Sequence, residues 1–565
     1  MKNKIILFLF GCLLIVASCS EDFITKDFDK SRYNPATFYN SKERALIGLN
    51  ACYSNLSNQT LWANVATIMP NVLTDELYGT GYVAGYGNWG SITDVRPPAT
   101  ASEVANLWNG CNQGILACNV ALEKIPTVSA IDATFTAAMK DSYLGQIYFL
   151  RALYYYELFT YFPQDRIVLR RTVPKVTADY IMAPVVADSI FNFIEKSLKD
   201  AQTLLTASVN TTAGYEKGRV TRGTATALLG KLYMKRKMYQ LAADQFKLLL
   251  PGVGNVAYGT YSLQADYRNN FINTTENNSE SLFEIQFANV NGSGTQGNDG
   301  ASVNETAYYT QNWTLNRTSW STMWWNWAVA NFSLNGYNGN EINGFEKWTE
   351  GATTVYDYRV YETFWGVPNG ANFTENGVLK TWITQGWSVE TVVGLTGVYS
   401  IRKNAYDNTN QVPAGTSQTH SDVNWRLIRL SDIMLLYAEC MADLNPANVT
   451  PSDVNSAIYW IDQVRTRANK VMADQSHLYS SRVGVPGQLP DATTLKAAKG
   501  WTLLQLIQHE RYVELYCEGT RYEDLIRWQV GAGYIPYKTG FTGYQSLTLP
   551  VPSTVTDNNP LNRGK

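Results

Sequence analysis

Glu510 and Glu514 stand four residues apart in a stretch of helical periodicity, so both carboxylates project from one helix face. Two carboxyl groups roughly 5 to 10 Å apart, one of them with a raised pKa, are the equipment of a glycoside hydrolase. Arg511, Arg521 and Arg527 crowd the same segment, and nearby cations lower a carboxylate's pKa, the opposite of what a general acid requires. The acidic pair therefore reads as structural salt bridging, and no catalytic residue is expected. The only histidines are His420, His477 and His509, and the chain contains neither HExxH nor GxSxG nor a P-loop. Gly79-Thr80-Gly81 lacks the third glycine of a dinucleotide fingerprint. The run Asn291 to Gly300 offers oxygens to a calcium ion, but it lacks carboxylate density and EF-hand spacing and reads as a loop. Neither a metal nor a cofactor is expected.

The chemistry that the composition does favour is recognition of neutral polar ligands. Charged residues make up 17% of the chain and aromatics 13%, with 16 Trp and 36 Tyr. Basic and acidic side chains number 46 and 48, a balance without the excess that a nucleic-acid partner calls for. A sugar ring presents an apolar face edged by hydroxyls, so its binder needs flat aromatic platforms flanked by amides and carboxylates. Two stretches outside any helical pattern have that composition. One runs from Asp75 and Glu76 through Tyr78, Tyr82, Tyr86, Asn88 and Trp89 to Arg96. The other holds Tyr308, Tyr309, Asn312, Trp313, Trp320, Trp324, Trp325 and Trp327. The competing reading is that most of these rings pack a core or brace loops.

The N-terminus carries an address. Lys2 and Lys4 precede an apolar run from Ile5 to Ala17, the order of a secretory signal. That run is too short for a spanning helix, which needs about 20 residues. Val16-Ala17-Ser18-Cys19 resembles a bacterial lipobox, in which the chain is cut before the cysteine and the cysteine is acylated. Residues 1–18 are thus expected to be a cleaved signal, Cys19 the lipidation site and 19–40 a tether. Of 7 cysteines, Cys52, Cys111, Cys118, Cys440 and Cys517 remain in the body. Cys111 and Cys118 lie about 10 Å apart along one helix, beyond the ~7 Å between Cα atoms that a disulfide tolerates, and all five read as small buried residues.

The elements that must position these residues are mostly helical. Val104, Trp108, Cys111, Ile115, Cys118, Leu122 and Ile125 recur every three or four residues, one buried face of a helix. Residues 143–162 are apolar nearly all round and should lie between other helices, ending before Pro163. Further helices are expected at about 185–205, 221–236, 239–250, 427–444, 452–469 and 500–518. Leu229, Gly230, Tyr233, Ala242 and Phe246 occupy the spacing of a tetratricopeptide helix pair, and Leu144-Gly145-Gln146-Ile147-Tyr148 repeats its first half. These lie too far apart for contiguous repeats, so insertions must separate them. Between about 251 and 424 helical periodicity fades into Gly, Asn, Thr and Trp. The expected architecture is a single mostly α domain over 41–565. It comprises a helical scaffold at 41–250 and 425–530, an irregular ligand-binding region at 251–424 and an extended tail at 531–565.

The segment Asn424 to Glu439, followed by Ile461 to Ala468, resembles the SusD/RagB family of outer-membrane lipoproteins. So do Glu510-Arg511, Glu514-Leu515, Glu518-Gly519, Arg521, Asp524-Leu525 and Arg527-Trp528, the family's terminal motif, and the ending Leu549-Pro550-Val551-Pro552 with Asn559-Pro560. Phe149 to Ala152, Gly218 to Thr221 and Glu280 to Ile285 fall in the family's order, while Tyr161 to Asp165 departs from its usual Gly-Asp or Gly-Gly turn. The resemblance implies four tetratricopeptide-like helix pairs under an irregular ligand side. It also implies a non-enzymatic surface receptor that hands oligosaccharides to a SusC-like TonB-dependent barrel in the outer membrane. Ser20-Glu21-Asp22 looks like the acidic signal that sends such lipoproteins to the cell exterior. Family loops at matching positions single out Asn88, Trp89, Tyr309, Trp313 and Trp320 as ligand contacts. Some members take peptides, so a peptide receptor is the alternative within the family. A glycoside hydrolase and a pure interaction scaffold are the alternatives outside it.

Overall fold

The computed structural model describes residues 38–58, 60–62, 65–79, 88–206, 216–287, 311–312, 327–329, 345–350, 353–365, 372–375, 378–381, 399–401, 403–404, 420–421, 423–469, 489–531, 543 and 547–562. The signal, Cys19 and most of the tether lie outside these residues, as do the loop at 291–300 and the stretch 313–326.

The described chain is mostly helical. The main helices are α1 (Lys42–Ser54), α2 (Val65–Val72), α3 (Ser102–Val128), α4 (Ala137–Tyr161), α5 (Ala187–Leu204), α6 (Arg222–Lys235) and α7 (Tyr239–Lys247). After a long interval follow α8 (Leu430–Leu444), α9 (Ala457–Asn469), α10 (Leu503–Leu515) and α11 (Arg521–Arg527). The expected helices are all present. The apolar stripe from Val104 to Ile125 is buried as anticipated, with Leu122 half-buried. Among the described residues no helix is long and apolar enough to cross a membrane.

Each helix packs on the next in the series α3, α4, α5, α6, α7. Glycines set how closely they approach. A methyl group on Gly230 of α6 would lie 2.3 Å from the Phe246 ring of α7, so the tetratricopeptide spacing marks a crossing where only hydrogen fits. Gly145 of α4 meets Leu204 and Leu205 at the end of α5 in the same way, with Leu205 2.9 Å from the missing methyl. A long connection separates α4 from α5, as insertions between the repeats require, and it opens with a 3-10 turn at Gln164–Arg166. Caps fix the helix starts: Thr136 accepts from the Met139 amide at 3.2 Å, and Thr502 and Gln505 cap α10 reciprocally.

The array does not stop at α7. Helix α7 packs directly on α8, so residues 248–429 form one excursion between two adjacent helices. A two-stranded ladder closes its neck: β1 (Ser281–Ile285) runs antiparallel to β2 (Trp425–Arg429), which leads straight into α8. The expected helix start at 427 is therefore corrected to 430. The run Trp425 to Arg429 pairs with β1 because its backbone and its arginines find partners there that a helix would deny them.

The five body cysteines are free thiols and buried. The C-terminal stretch returns to the scaffold, where the Leu549 amide donates to the Tyr161 carbonyl at 2.7 Å and the Asn559 side chain to the Met182 carbonyl at 2.8 Å.

Candidate functional site

The two aromatic stretches meet. Leu77–Gly79 pairs antiparallel with Trp327–Val329, in the register Leu77 to Val329, Tyr78 to Ala328 and Gly79 to Trp327. Trp327–Val329 pairs on its other side with Tyr399–Ile401, which pairs with Phe364–Trp365. The result is a four-stranded antiparallel sheet built from four distant parts of the chain. A second short ladder joins Gln311–Asn312 to His420–Ser421, next in sequence to Trp313.

The chosen contacts fare differently. Tyr309, Trp313 and Trp320 lie outside the described residues. Asn88 sits at the start of the short helix Trp89–Thr93 and is pinned by Glu103: its amide side chain donates to Oε2 at 2.9 Å and its backbone N–H to Oε1 at 3.2 Å. Trp89 is 5% exposed and belongs to the apolar core. At that exposure its ring packs and presents no open stacking face. The short helix turns the ring inward beside α2, where burying a large apolar surface outweighs leaving it in solvent.

Around α10 lies a dense buried charge network. Glu510 and Glu514 do face one side of α10, but their partners are not those that the sequence suggested. Glu510 meets Arg359 at 2.6 Å and Arg465 at 2.8 Å. Glu514 meets Arg359 at 3.1 Å, Arg429 at 2.7 Å and also Arg467. Burial pushes the Glu514 carboxyl up, and Arg467, Arg429 and Arg359 outweigh it and hold the group well below the ordinary carboxylate range. A carboxyl so held cannot serve as a general acid at neutral pH. Arg511 instead binds Asp432 and Asp524, Arg521 binds Asp75, and Arg527 binds Glu439 and Asp524. Glu280, at the mouth of β1, accepts from Arg429 at 2.8 Å and Arg467 at 3.2 Å. Among the described residues no group of three His, Cys, Asp or Glu side chains is placed to hold a metal ion.

Sequence reasoning missed Arg359, Lys403 and Asp357. The first two are wholly buried cations inside the irregular region, and a charged residue in a loop ordinarily reads as solvated. The only signal was complementary: the three glutamates and Asp524 of the terminal motif outnumber its three arginines.

Two family models match the chain. One, described as the SusD family, covers residues 279–562, and another, described as starch-binding associating with outer membrane, covers 48–234. A SusD-like protein of Bacteroides ovatus is 22% identical over 487 residues, spanning 83% of this chain and 76% of the relative. Among solved structures, a SusD superfamily protein from Bacteroides vulgatus superposes with a TM-score of 0.64 at 20% identity, covering 93% of this chain and 98% of that one. A laminarin-binding SusD-like protein gives 0.64 at 21%, covering 92% and 98%. Surface glycan-binding protein A from Bacteroides thetaiotaomicron, in complex with laminarihexaose, gives 0.62 at 19%, also covering 92% and 98%.

Proposed function

The chain belongs to the SusD family, and on that premise we propose that it is a non-enzymatic glycan receptor of the outer membrane. It captures a neutral oligosaccharide at the cell surface and passes it to a SusC-like TonB-dependent barrel. A lipid on Cys19, exposed after removal of residues 1–18, keeps it beside that partner. The observation that supports this reading best is the pairing of Leu77–Gly79 with Trp327–Val329, because it unites two stretches rich in aromatic rings and amides. Tyr309, Trp313 and Trp320 are the stacking residues in this proposal. Asn88, oriented by Glu103, edges the site, and Trp89 supports it from the core. Two structural relatives are named for laminarin or laminarihexaose, and one matching family model for starch, so a glucan is the ligand class to try first.

Calorimetry on the Cys19→Ala chain lacking residues 1–18, with laminarihexaose and maltohexaose as probes, tests it. Binding of either glucan is expected, weakened about tenfold by Trp313→Ala or Trp320→Ala, equivalent to about 1.4 kcal/mol. Binding of peptides but no glycan would overturn the ligand class. Hydrolysis of a bound glycan, lost on a single carboxylate change, would overturn the receptor reading. In cells, Cys19→Ala alone should release the protein from the membrane and leave glucan affinity unchanged.

A further inference from the structure

Three strands of the four-stranded sheet carry, just outside their ends, a buried charged side chain that reaches one short piece of the scaffold, residues 510–521. Two residues before Leu77, Asp75 takes a bidentate contact from Arg521, 2.9 Å from Nε and 2.8 Å from Nη2. The adjoining Glu76 carbonyl accepts from the Tyr516 hydroxyl at 2.7 Å. The short helix Tyr358–Thr363 runs directly into Phe364–Trp365, and its Arg359 binds Glu510 and Glu514 with one nitrogen while Asp357 takes the other at 2.7 Å. Two residues after Ile401, the Lys403 ammonium donates to the Tyr516 carbonyl at 2.9 Å, the Glu514 carbonyl at 3.3 Å and Glu518 Oε1 at 2.8 Å. It thereby caps the end of α10 with a cation, where helix carbonyls lack partners. The fourth strand, Trp327–Val329, lies between two of the anchored ones. Gly519, with φ of +79° and Pro70 3.3 Å from where a methyl would sit, provides the turn that brings Arg521 round to Asp75.

Strands of two and three residues do not fix their own register, since short ladders with little shared core are marginal in water. Apolar contact alone would let them slide over the scaffold. A buried ion pair is different: its desolvation is costly and is recovered only in one geometry. We infer that Asp75, Arg359 and Lys403 are positioning residues of the ligand site. By keying the sheet to residues 510–521, they set where Leu77–Gly79 and Trp327–Val329 sit on the scaffold. This inference rests on the glycan-receptor reading for its ligand, but not for its structural content. It gives the family's terminal motif a task in this chain, that of a socket for the ligand-side sheet.

The test compares Arg359→Met, Arg359→Lys and Lys403→Met with Arg527→Met in the full mature protein. Arg527→Met breaks buried contacts to Glu439 and Asp524, six residues beyond that segment and with no partner at the sheet strands among its ion pairs. Two readouts are taken: affinity for laminarihexaose, and amide exchange in 77–79, 327–329 and 399–401. Arg359→Met and Lys403→Met should weaken affinity about tenfold or more and speed exchange in those strands, with protection of α3 and α4 unchanged. Arg359→Lys, which keeps the charge, should recover part of both, and Arg527→Met should lower the melting temperature without moving either. Equal exchange in the sheet for the Arg359, Lys403 and Arg527 variants would overturn the inference. If wild type binds neither laminarihexaose nor maltohexaose, the receptor reading fails, while the exchange pattern still decides the positioning role. Should Arg359→Met not fold, Arg359→Lys and Asp75→Asn give the same comparison at lower cost to stability.

Discussion

The helical array and the ligand-side sheet meet the same core by different means. From α3 to α7, neighbours interlock through apolar faces and through side chains that are missing: Gly114 makes room for the Tyr154 ring and Gly230 for Phe246. The sheet instead reaches the scaffold through Asp75, Arg359 and Lys403. The contrast follows from length. A helix of 25 residues such as α4 buries enough apolar surface to set its own position, whereas a strand of two or three residues does not. Charge pairing substitutes directionality for area.

This comparison predicts unequal sensitivities. Arg429 holds Glu280, Glu514 and Glu518 where β2 turns into α8, so Arg429→Met strands buried carboxylates and should cost about 3–5 kcal/mol in chemical denaturation. A cost under about 1 kcal/mol would show that the network is dispensable and erase the contrast.

An ionic patch lies where the array meets α11, and pH exposes it. Burial, with Glu523 nearby, pushes the Glu157 carboxyl up to about 8 from its ordinary 4.5. In that interval the folded state retains a proton that the unfolded chain releases, so this group's contribution to stability falls as pH rises from 4.5 to 8. Glu523 has the opposite sense. Burial raises its carboxyl, but Lys235 and Lys231 prevail and hold it at about 2, so its contribution is lost as pH falls from 4.5 towards 2. Melting temperature measured against pH should fall on both flanks, and Glu157→Gln should flatten the alkaline one. An unchanged alkaline slope in Glu157→Gln would assign it to other groups.

Gly230→Ala should be the mildest of the three, about 1–3 kcal/mol from overpacking against Phe246. Gly230→Ala combined with Phe246→Leu should recover part of it, as a purely steric contact requires. No recovery would mean that the crossing is set elsewhere.

Much of the scaffold was legible because its code is local. The stripe from Val104 to Ile125 and the glycine spacing of α6 and α7 each lie within one or two elements, where helical period and backbone geometry constrain residue type directly. The terminal motif was legible as a family feature and as salt bridging. Its partners were not, since Glu510 and Arg359 are 151 residues apart and Asp75 and Arg521 are 446 apart. Any arginine could chemically have satisfied those glutamates, and the nearest in sequence, Arg511, turned to Asp432 and Asp524. The stretch from Trp425 to Arg429 shows the same limit, being a strand only because β1 lies beside it.

The amino-acid sequence alone thus determined a helical scaffold with one long excursion, two stretches rich in aromatics and amides, and an acidic pair that reads as salt bridging. Tertiary structure alone decided that Trp89 packs inward, that Leu77–Gly79 pairs with Trp327–Val329, and which cations the acidic pair holds. The division has a physical cause. Periodicity and backbone preference are written in neighbouring residues, whereas strand pairing and charge pairing are choices among many equivalent groups that only a packed fold brings within reach.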